Sequence, residues 1–458
     1  MVNIFVELSK YVILTLMVLY TFHCASMVFS PVRGNKEWHL FMQLLLMFGL
    51  DSLSFLVLFL QQKDLWILLY YLAMMALFVL LQLAYRTLYP KASGLLLNNT
   101  CMMLSLGFIM LCRLDMASAA KQLIIAAVAS GLFLAVPSMI RQMRFLKKLA
   151  WLYGGAGVLI LMAVLGLAQS SYGAKLSLMG IQPSEAIKIT FVFFAASMLW
   201  HRPTKARIMI TAFLQAVQIG ILVLSRDLGS ALIFFVTFLI MLYISTRRAG
   251  YLALGLGVGS VASVVAYHSF AHVRERVSAF LHPLLVYENE GYQIVQSLFA
   301  IGTGGWFGMG LGKGSPQVIP VVKNDFIFSA VCEELGAVFA LCLIALCMMF
   351  FLIIVNISLQ IRNPFYKLVA IGLGTEYAFQ VFLTIGGAIK MIPLTGVTLP
   401  LISYGGSSLV STLLVLAIIQ GLFIYREDEE EEIERLRRQT EKASLPFGFS
   451  WRRKGKRD

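Results

Sequence analysis

Residues 337–355 read AVFALCLIALCMMFFLIIV, a run without a charge, a proline or a glycine. At about 1.5 Å of rise per residue, a helix of this length matches a hydrocarbon core of roughly 30 Å. Apolar and polar residues do not alternate along it, as they would in a membrane β-strand. Backbone groups in lipid must satisfy one another, so the run is read as a helix. Apolar residues continue upstream, and the predicted span covers residues 326–356.

Outward from this stretch, similar runs recur along the whole chain. Spans are predicted near residues 12–30, 40–60, 65–84, 97–112, 118–137, 149–168, 186–200, 208–224, 228–245, 251–268, 366–388 and 405–424, which makes about thirteen in all. Composition demands this solution. Of 458 residues, 59% are hydrophobic and 13% are charged, and the mean hydropathy is +0.82. A soluble domain carries about 25% charged residues, so no water-facing surface can be assembled from this supply. The fold class is all-α, a polytopic transmembrane helical bundle. No cleavable signal peptide is expected, because the first apolar stretch leads into further spans.

The formal net charge of +14 would point to nucleic acid in a soluble protein. Here the bases concentrate in alternate short loops: Arg33 and Lys36, Arg86 and Lys91, Arg141 to Lys148, Arg202 to Arg207, Arg247 and Arg248, Arg362 and Lys367, then the tail. The other loops are poorer, with Lys63 beside Asp64 and Arg113 near Asp115. Topology explains the charge, and no nucleic-acid partner is expected. The rule that bases stay inside puts the N-terminus outside and the C-terminus in the cytoplasm. The largest external loop is residues 269–325. In it, Val273, Val277 and Phe280 share a helical face suited to the interface. Residues 426–458 form a charged cytoplasmic tail that is acidic at first and ends basic, from Trp451 to Arg457; membrane lipid would attract that end. Cys24, Cys101, Cys112, Cys332, Cys342 and Cys347 lie in apolar segments with no metal-ligand spacing. No metal site is assigned.

Ionisable groups at membrane depth are costly and mark function. Three clusters stand out on the predicted external side. In Gln182-Pro183-Ser184-Glu185-Ala186-Ile187-Lys188 a proline opens a helix, and Glu185 and Lys188 share a face. Arg226-Asp227-Leu228-Gly229-Ser230 breaks two apolar runs. The third cluster runs from Tyr292 to Glu334, with glycines at 302, 304, 305, 308, 310, 312 and 314 around Lys313. It fails the Walker pattern, but glycine-rich backbone can present N–H groups to phosphate. Asp325 stands at the mouth of the 326–356 span with Lys323 beside it. A carboxylate there can take a proton from an attacking hydroxyl. His268 and His272 are four apart, with no third ligand placed for a metal.

These segments resemble the SEDS family, whose members include FtsW, RodA and SpoVE. The resemblance rests on GIQPSEAIK (180–188), RDLGSALI (226–233), YQIVQSLFAIGTGGWFGMGLGKG (292–314), NDFIF with EELG (324–336) and PLTGVTLPLISYGGSS (393–408). It implies a core of about ten spans, residues 95–425, preceded by an added N-terminal segment of about three spans, residues 1–94. It also implies a peptidoglycan glycosyltransferase polymerising lipid II, a disaccharide-pentapeptide on undecaprenyl pyrophosphate, at the outer face of the bacterial cytoplasmic membrane. Such proteins serve cell-wall biogenesis in cell division, elongation (cell shape) or sporulation, and partner a class B penicillin-binding protein, a transpeptidase. The family's motif aspartate falls on Asp325, which is expected to be catalytic. Glu185, Lys188 and Ser403 fall on motif positions, and Lys313, Lys323, Arg274 and Arg276 join them as candidate contacts for substrate. A divalent cation, Mg or Mn, would assist by bridging the phosphates, although no preformed cage is visible. Asn324 and Lys323 depart from the family's Thr and His ahead of the aspartate, and Thr384 replaces its asparagine. There are two rivals: a lipid II flippase, which the broken helices near 226–230 and 393–408 would also suit, and a non-catalytic scaffold of the cell-wall machinery, in which the first three spans and the tail recruit other proteins.

Overall fold

The structure is a computed structural model that describes residues 2–29, 35–142, 145–167, 169–171, 174–177, 182–201, 203–288 and 291–444. Arg33, Arg144, Arg202 and the basic end Trp451–Arg457 lie outside the described residues. Helices α1 (Val2–Phe29), α2 (Lys36–Gln62) and α3 (Leu65–Leu88) precede α4 (Gly94–Leu114), α5 (Met116–Phe133), α6 (Val136–Gln142), α7 (Ala150–Leu167), α8 (Pro183–Leu199), α9 (Lys205–Leu224), α10 (Leu228–Thr246) and α11 (Ala249–Ser269). Then follow α12 (Ala271–Leu281), α13 (Gly291–Gly304), α14 (Ile327–Leu335), α15 (Ala337–Gln360), α16 (Pro364–Ala388) and α17 (Gly406–Ser444). A small antiparallel hairpin, β1 (Gln169–Ser171) with β2 (Ala174–Ser177), joins α7 to α8.

Among the described residues, eleven helices are long and apolar enough to cross a membrane, and Ala150–Gly166 is a shorter apolar helix. The remaining predicted span, 186–200, falls on α8, which carries the buried Glu185 and Lys188. The chain is a multi-pass membrane protein. Many polar side chains of the spans turn inward. In the wholly buried α4, Asn98 donates to Gln43 Oε1 at 3.1 Å, and Tyr20 of α1 donates to Asn99 at 3.0 Å.

The expected unbroken span over 326–356 is corrected: the chain breaks at Gly336, between α14 and α15. Glu333 and Glu334 cannot face lipid, and every residue of α14 is buried within the protein. Gly336 sits at φ +89°, and a Cβ there would lie 2.3 Å from Gly308 N. No side chain fits at that crossing.

α17 runs unbroken through the acidic stretch to Ser444. Lys91 bonds Asp428 at 2.7 Å and Glu431 at 2.8 Å, and Arg141 bonds Asp428 at 2.5 Å. These partners all belong to the loop set predicted to be cytoplasmic. Lys323 bonds Asp115 and Arg113 bonds the Gly314 carbonyl, both within the opposite set.

Candidate functional site

Asp325 lies in the loop ahead of α14, half-buried, with the fully buried Phe326 anchoring the chain behind it. The segment before it is fastened to residues 403–404. Tyr404 N donates to the Lys323 carbonyl at 2.7 Å, and Asn324 Nδ2 donates to the Tyr404 carbonyl at 3.0 Å. The Ser403 hydroxyl donates to the Asn324 carbonyl and accepts from Leu399 N at 3.0 Å. The unusual Asn324 therefore has a role of its own: its amide closes the clasp beside Asp325.

Arg276 comes from α12. Its Nη1 donates to the carbonyls of Leu394 at 3.2 Å and Thr395 at 3.0 Å. This fork fixes the segment that follows α16. Gly396 comes next, at φ +73°, and a Cβ built there would lie 3.8 Å from both Arg276 Nη2 and Asp325 Oδ2. The guanidinium and the carboxylate thus face the same bare stretch of backbone. Burial pushes the Asp325 carboxyl up to about 6, while the Arg276 guanidinium opposes the rise. Burial likewise pulls Arg276 down, against the Asp325 and Asp227 carboxylates. Asp227 caps α10 through Ser230 N at 3.1 Å and accepts from Ser184 Oγ at 3.2 Å. Two buried polar atoms here have no hydrogen-bond partner, Thr395 Oγ1 and His272 Nε2. Thr395 precedes Gly396 and His272 lies one helical turn before Arg276, so both stand beside this face.

The Glu185–Lys188 pair forms as the spacing predicts, at 2.6 Å. It lies inside the bundle and not at its rim. Lys188 also donates to Gln380 Oε1 at 2.8 Å, and Ser411 donates to Glu185 at 2.8 Å. With Glu376 these residues line a cavity of about 20 Å³, room for one water. Gln380 in turn donates to the Thr398 carbonyl at 2.9 Å. Arg276 therefore grips the 393–408 segment at one end, and the Lys188–Gln380 pair grips it at the other.

Other predicted residues fall elsewhere. Arg274 is exposed and donates to the His268 carbonyl at 2.8 Å, away from the Asp325 face. Lys323 pairs with Asp115 at 2.7 Å and holds that carboxyl down at about 2. Lys313 pairs with Glu7 of α1. Ser403 spends its hydroxyl on backbone. The glycine-rich loop is corrected as a phosphate cradle. Its Gly312 and Ser315 N–H groups donate to Glu334 at 2.9 Å and Glu333 at 2.8 Å. Sequence reasoning gave no site role to Thr395, within the quoted segment 393–408, or to Gln380, and it weighed His272 only as a metal ligand. Among the described residues, no group of three His, Cys, Asp or Glu converges to hold a metal ion.

A carboxylate in this environment would impose a pH profile on a reaction that used it as a base. Proton acceptance needs the ionised carboxylate, so kcat/KM is expected to rise through an apparent value near 6 and to fall away below it. A rate profile that is flat from pH 5 to 8 would assign the proton to another group.

Comparison with known proteins follows the same segments. The profile of the family described as "Cell cycle protein" (FTSW_RODA_SPOVE) matches residues 94–427. "Peptidoglycan glycosyltransferase RodA" of Mycobacterium bovis is 35% identical over 388 residues, covering 76% of this chain and 82% of that protein. "Probable peptidoglycan glycosyltransferase FtsW" of Geobacter metallireducens is 33% identical over 276 residues, covering 57% of this chain and 73% of that protein. Among solved structures, a chain from "a peptidoglycan synthase complex" reported for the coordination of polymerization and crosslinking aligns with TM-score 0.62 and 27% identity, over 73% of this chain and 98% of that one. Rod shape determining protein RodA of Thermus thermophilus aligns with TM-score 0.54 and 26% identity, over 73% of this chain and 97% of that one. With its sequence matched over most of its length and its fold shared with a solved RodA, the chain belongs to the FtsW/RodA/SpoVE (SEDS) family.

Proposed function

We infer that this chain is a peptidoglycan glycosyltransferase that polymerises lipid II into glycan strands at the outer face of the cytoplasmic membrane. The observation that carries the mechanism is the shared face of Asp325 and Arg276 over Gly396. Asp325 accepts the proton of an acceptor sugar's 4-hydroxyl. That oxygen attacks the anomeric carbon of the growing strand, and the bond to the lipid pyrophosphate breaks with its electron pair on the leaving group. A single displacement turns an α-linked donor into a β-1,4 bond. Arg276 lies where charge develops on the departing phosphate and can stabilise it. Thr395 Oγ1 and His272 Nε2 supply further polar contacts. Glu185 and Lys188 act by fixing the 393–408 segment from behind. Asp115 takes up the charge of Lys323 and Glu7 that of Lys313, so Arg276 is the cation assigned to the pyrophosphate, in place of those lysines and of Arg274. Among the described residues, no cage of protein ligands is preformed for a Mg or Mn ion, which would have to rest largely on the substrate's phosphates.

The orientation puts the Asp325 end and the N-terminus outside and the acidic part of α17 in the cytoplasm, as the loop charges require. A class B penicillin-binding protein is the partner we assign; the likeness to a chain of a synthase complex supports it. The flippase reading is less well supported, because the paired acid and base lie at one end of the bundle. The test is glycan-strand synthesis from lipid II by the purified full chain in lipid nanodiscs, alone and with its transpeptidase. Polymer is expected in at least the second mixture. Lipid II flipping without any polymer would replace the reading with the transporter.

A further inference from the structure

Helices α1–α3 precede residue 94, where the family match begins, and nothing in the chemistry above uses them. The ends of α1 and α2 nevertheless close on one place, the glycine-rich loop 305–315. Gln61, at the end of α2, donates Nε2 to the Leu311 carbonyl at 2.7 Å. Lys10 of α1 donates to the Gly308 carbonyl at 3.3 Å. Glu7 pairs with Lys10 at 2.8 Å and also with Lys313. The Tyr11 and Phe307 rings lie 5.9 Å apart. The fit is close, since a Cβ at Gly312 would fall 1.8 Å from Gln61 Oε1.

The loop is itself locked onto α14. Met309 N donates to the Glu333 carbonyl at 3.0 Å, and Gly310 N to the Glu334 carbonyl at 2.9 Å. Gly312 N and Ser315 N donate to the carboxylates of Glu334 and Glu333. Arg113 of α4 ties Glu334 to the Gly314 carbonyl, both at 3.0 Å. Beyond that lock, α14 is a buried rod of nine residues whose other end begins two residues after Asp325. A packed helix moves as a unit and does not absorb a displacement along its length.

We propose that Gln61 and the Glu7–Lys313 pair are positioning residues for glycosyl transfer, setting the place of Asp325 through the glycine-rich loop and α14. The proposal rests on the reading of Asp325 as the base. The added helices are then part of the enzyme's working geometry and are not solely a means of recruitment.

The test uses the full chain with lipid II in nanodiscs. The variants are Gln61→Leu, Glu7→Lys, Lys313→Glu and the charge-reversed pair Glu7→Lys with Lys313→Glu. Each single change is expected to lower kcat about fivefold, as loss of the part-buried Gln61 hydrogen bond or of the exposed Glu7–Lys313 pair allows, with KM for lipid II held within about twofold. Hydrogen exchange at residues 309–315 is expected to quicken in parallel. The reversed pair is expected to recover kcat to within about twofold of the parent, which also shows that the chain folds. Unchanged kcat in the single variants, or a reversed pair no better than its worse single, would overturn the proposal. A rise in KM with kcat intact would do the same, because it would return Lys313 to direct contact with substrate. Asp325→Asn, run beside them, reports separately on the base.

Discussion

Asp325→Asn is expected to cut glycan-strand synthesis by about a thousandfold while the protein folds normally. General-base contributions run from about 10² to 10⁴, and about 10³ corresponds to roughly 4 kcal/mol of barrier. Asparagine keeps the size and the polar character of the side chain but cannot accept the proton. The same substitution is expected to stabilise the fold. Burial raises the folded carboxyl to about 6 from its ordinary 3.8. The folded state therefore holds the proton more tightly than the unfolded chain does. Ionising the group costs nothing below pH 4 and its full amount above pH 6, about 1–3 kcal/mol at neutral pH. A neutral isostere escapes that cost, so thermal unfolding of Asp325→Asn at pH 7.5 should shift upward by a few degrees, and the gain should vanish near pH 4. Activity lost together with stability would mean the residue is only a structural cap. Near-parental synthesis would remove it from the mechanism.

Arg276→Ala should lower kcat/KM about a hundredfold. Two roles disappear at once, the stabilising charge and the fork on the Leu394 and Thr395 carbonyls. Lysine should recover only part, because a point charge cannot reproduce the guanidinium's two-pronged geometry. The diagnostic is again pH. Arg276 opposes the upward shift of Asp325, so its removal should move the rising limb of the profile above 6. A variant that loses rate with the limb unmoved would place Arg276 in loop packing alone.

Much of the architecture can be read directly from apolar runs, because each span must satisfy lipid by itself. The break at Gly336 hides for the same reason: apolar residues continue on both sides of it, and only Glu333-Glu334 ahead of a glycine marks it. The site divides along similar lines. Asp325, Glu185 and Lys188 carry charge where charge is costly, so each can be found alone, whereas Arg276 lies in the long external loop among other bases. Whether a base is available is another matter. Lys313 and Lys323 look as suitable for phosphate as Arg276 does. The difference lies in Glu7 and Asp115, which are remote in sequence and come alongside only in the folded bundle. His272 and Thr395 give no signal beyond their neighbourhood, since an unsatisfied atom is defined by what surrounds it.

The clasp beside Asp325 bears on how the protein is made. Lys323 and Asn324 are tied to Tyr404, about eighty residues downstream, and Arg276 waits for Thr395. A nascent chain that has already threaded its first dozen helices still has no seat for the carboxylate. With Asp325 as the base, the capacity to join sugars waits until residues 393–408 have been made, and a copy that stops short of them would spend no precursor.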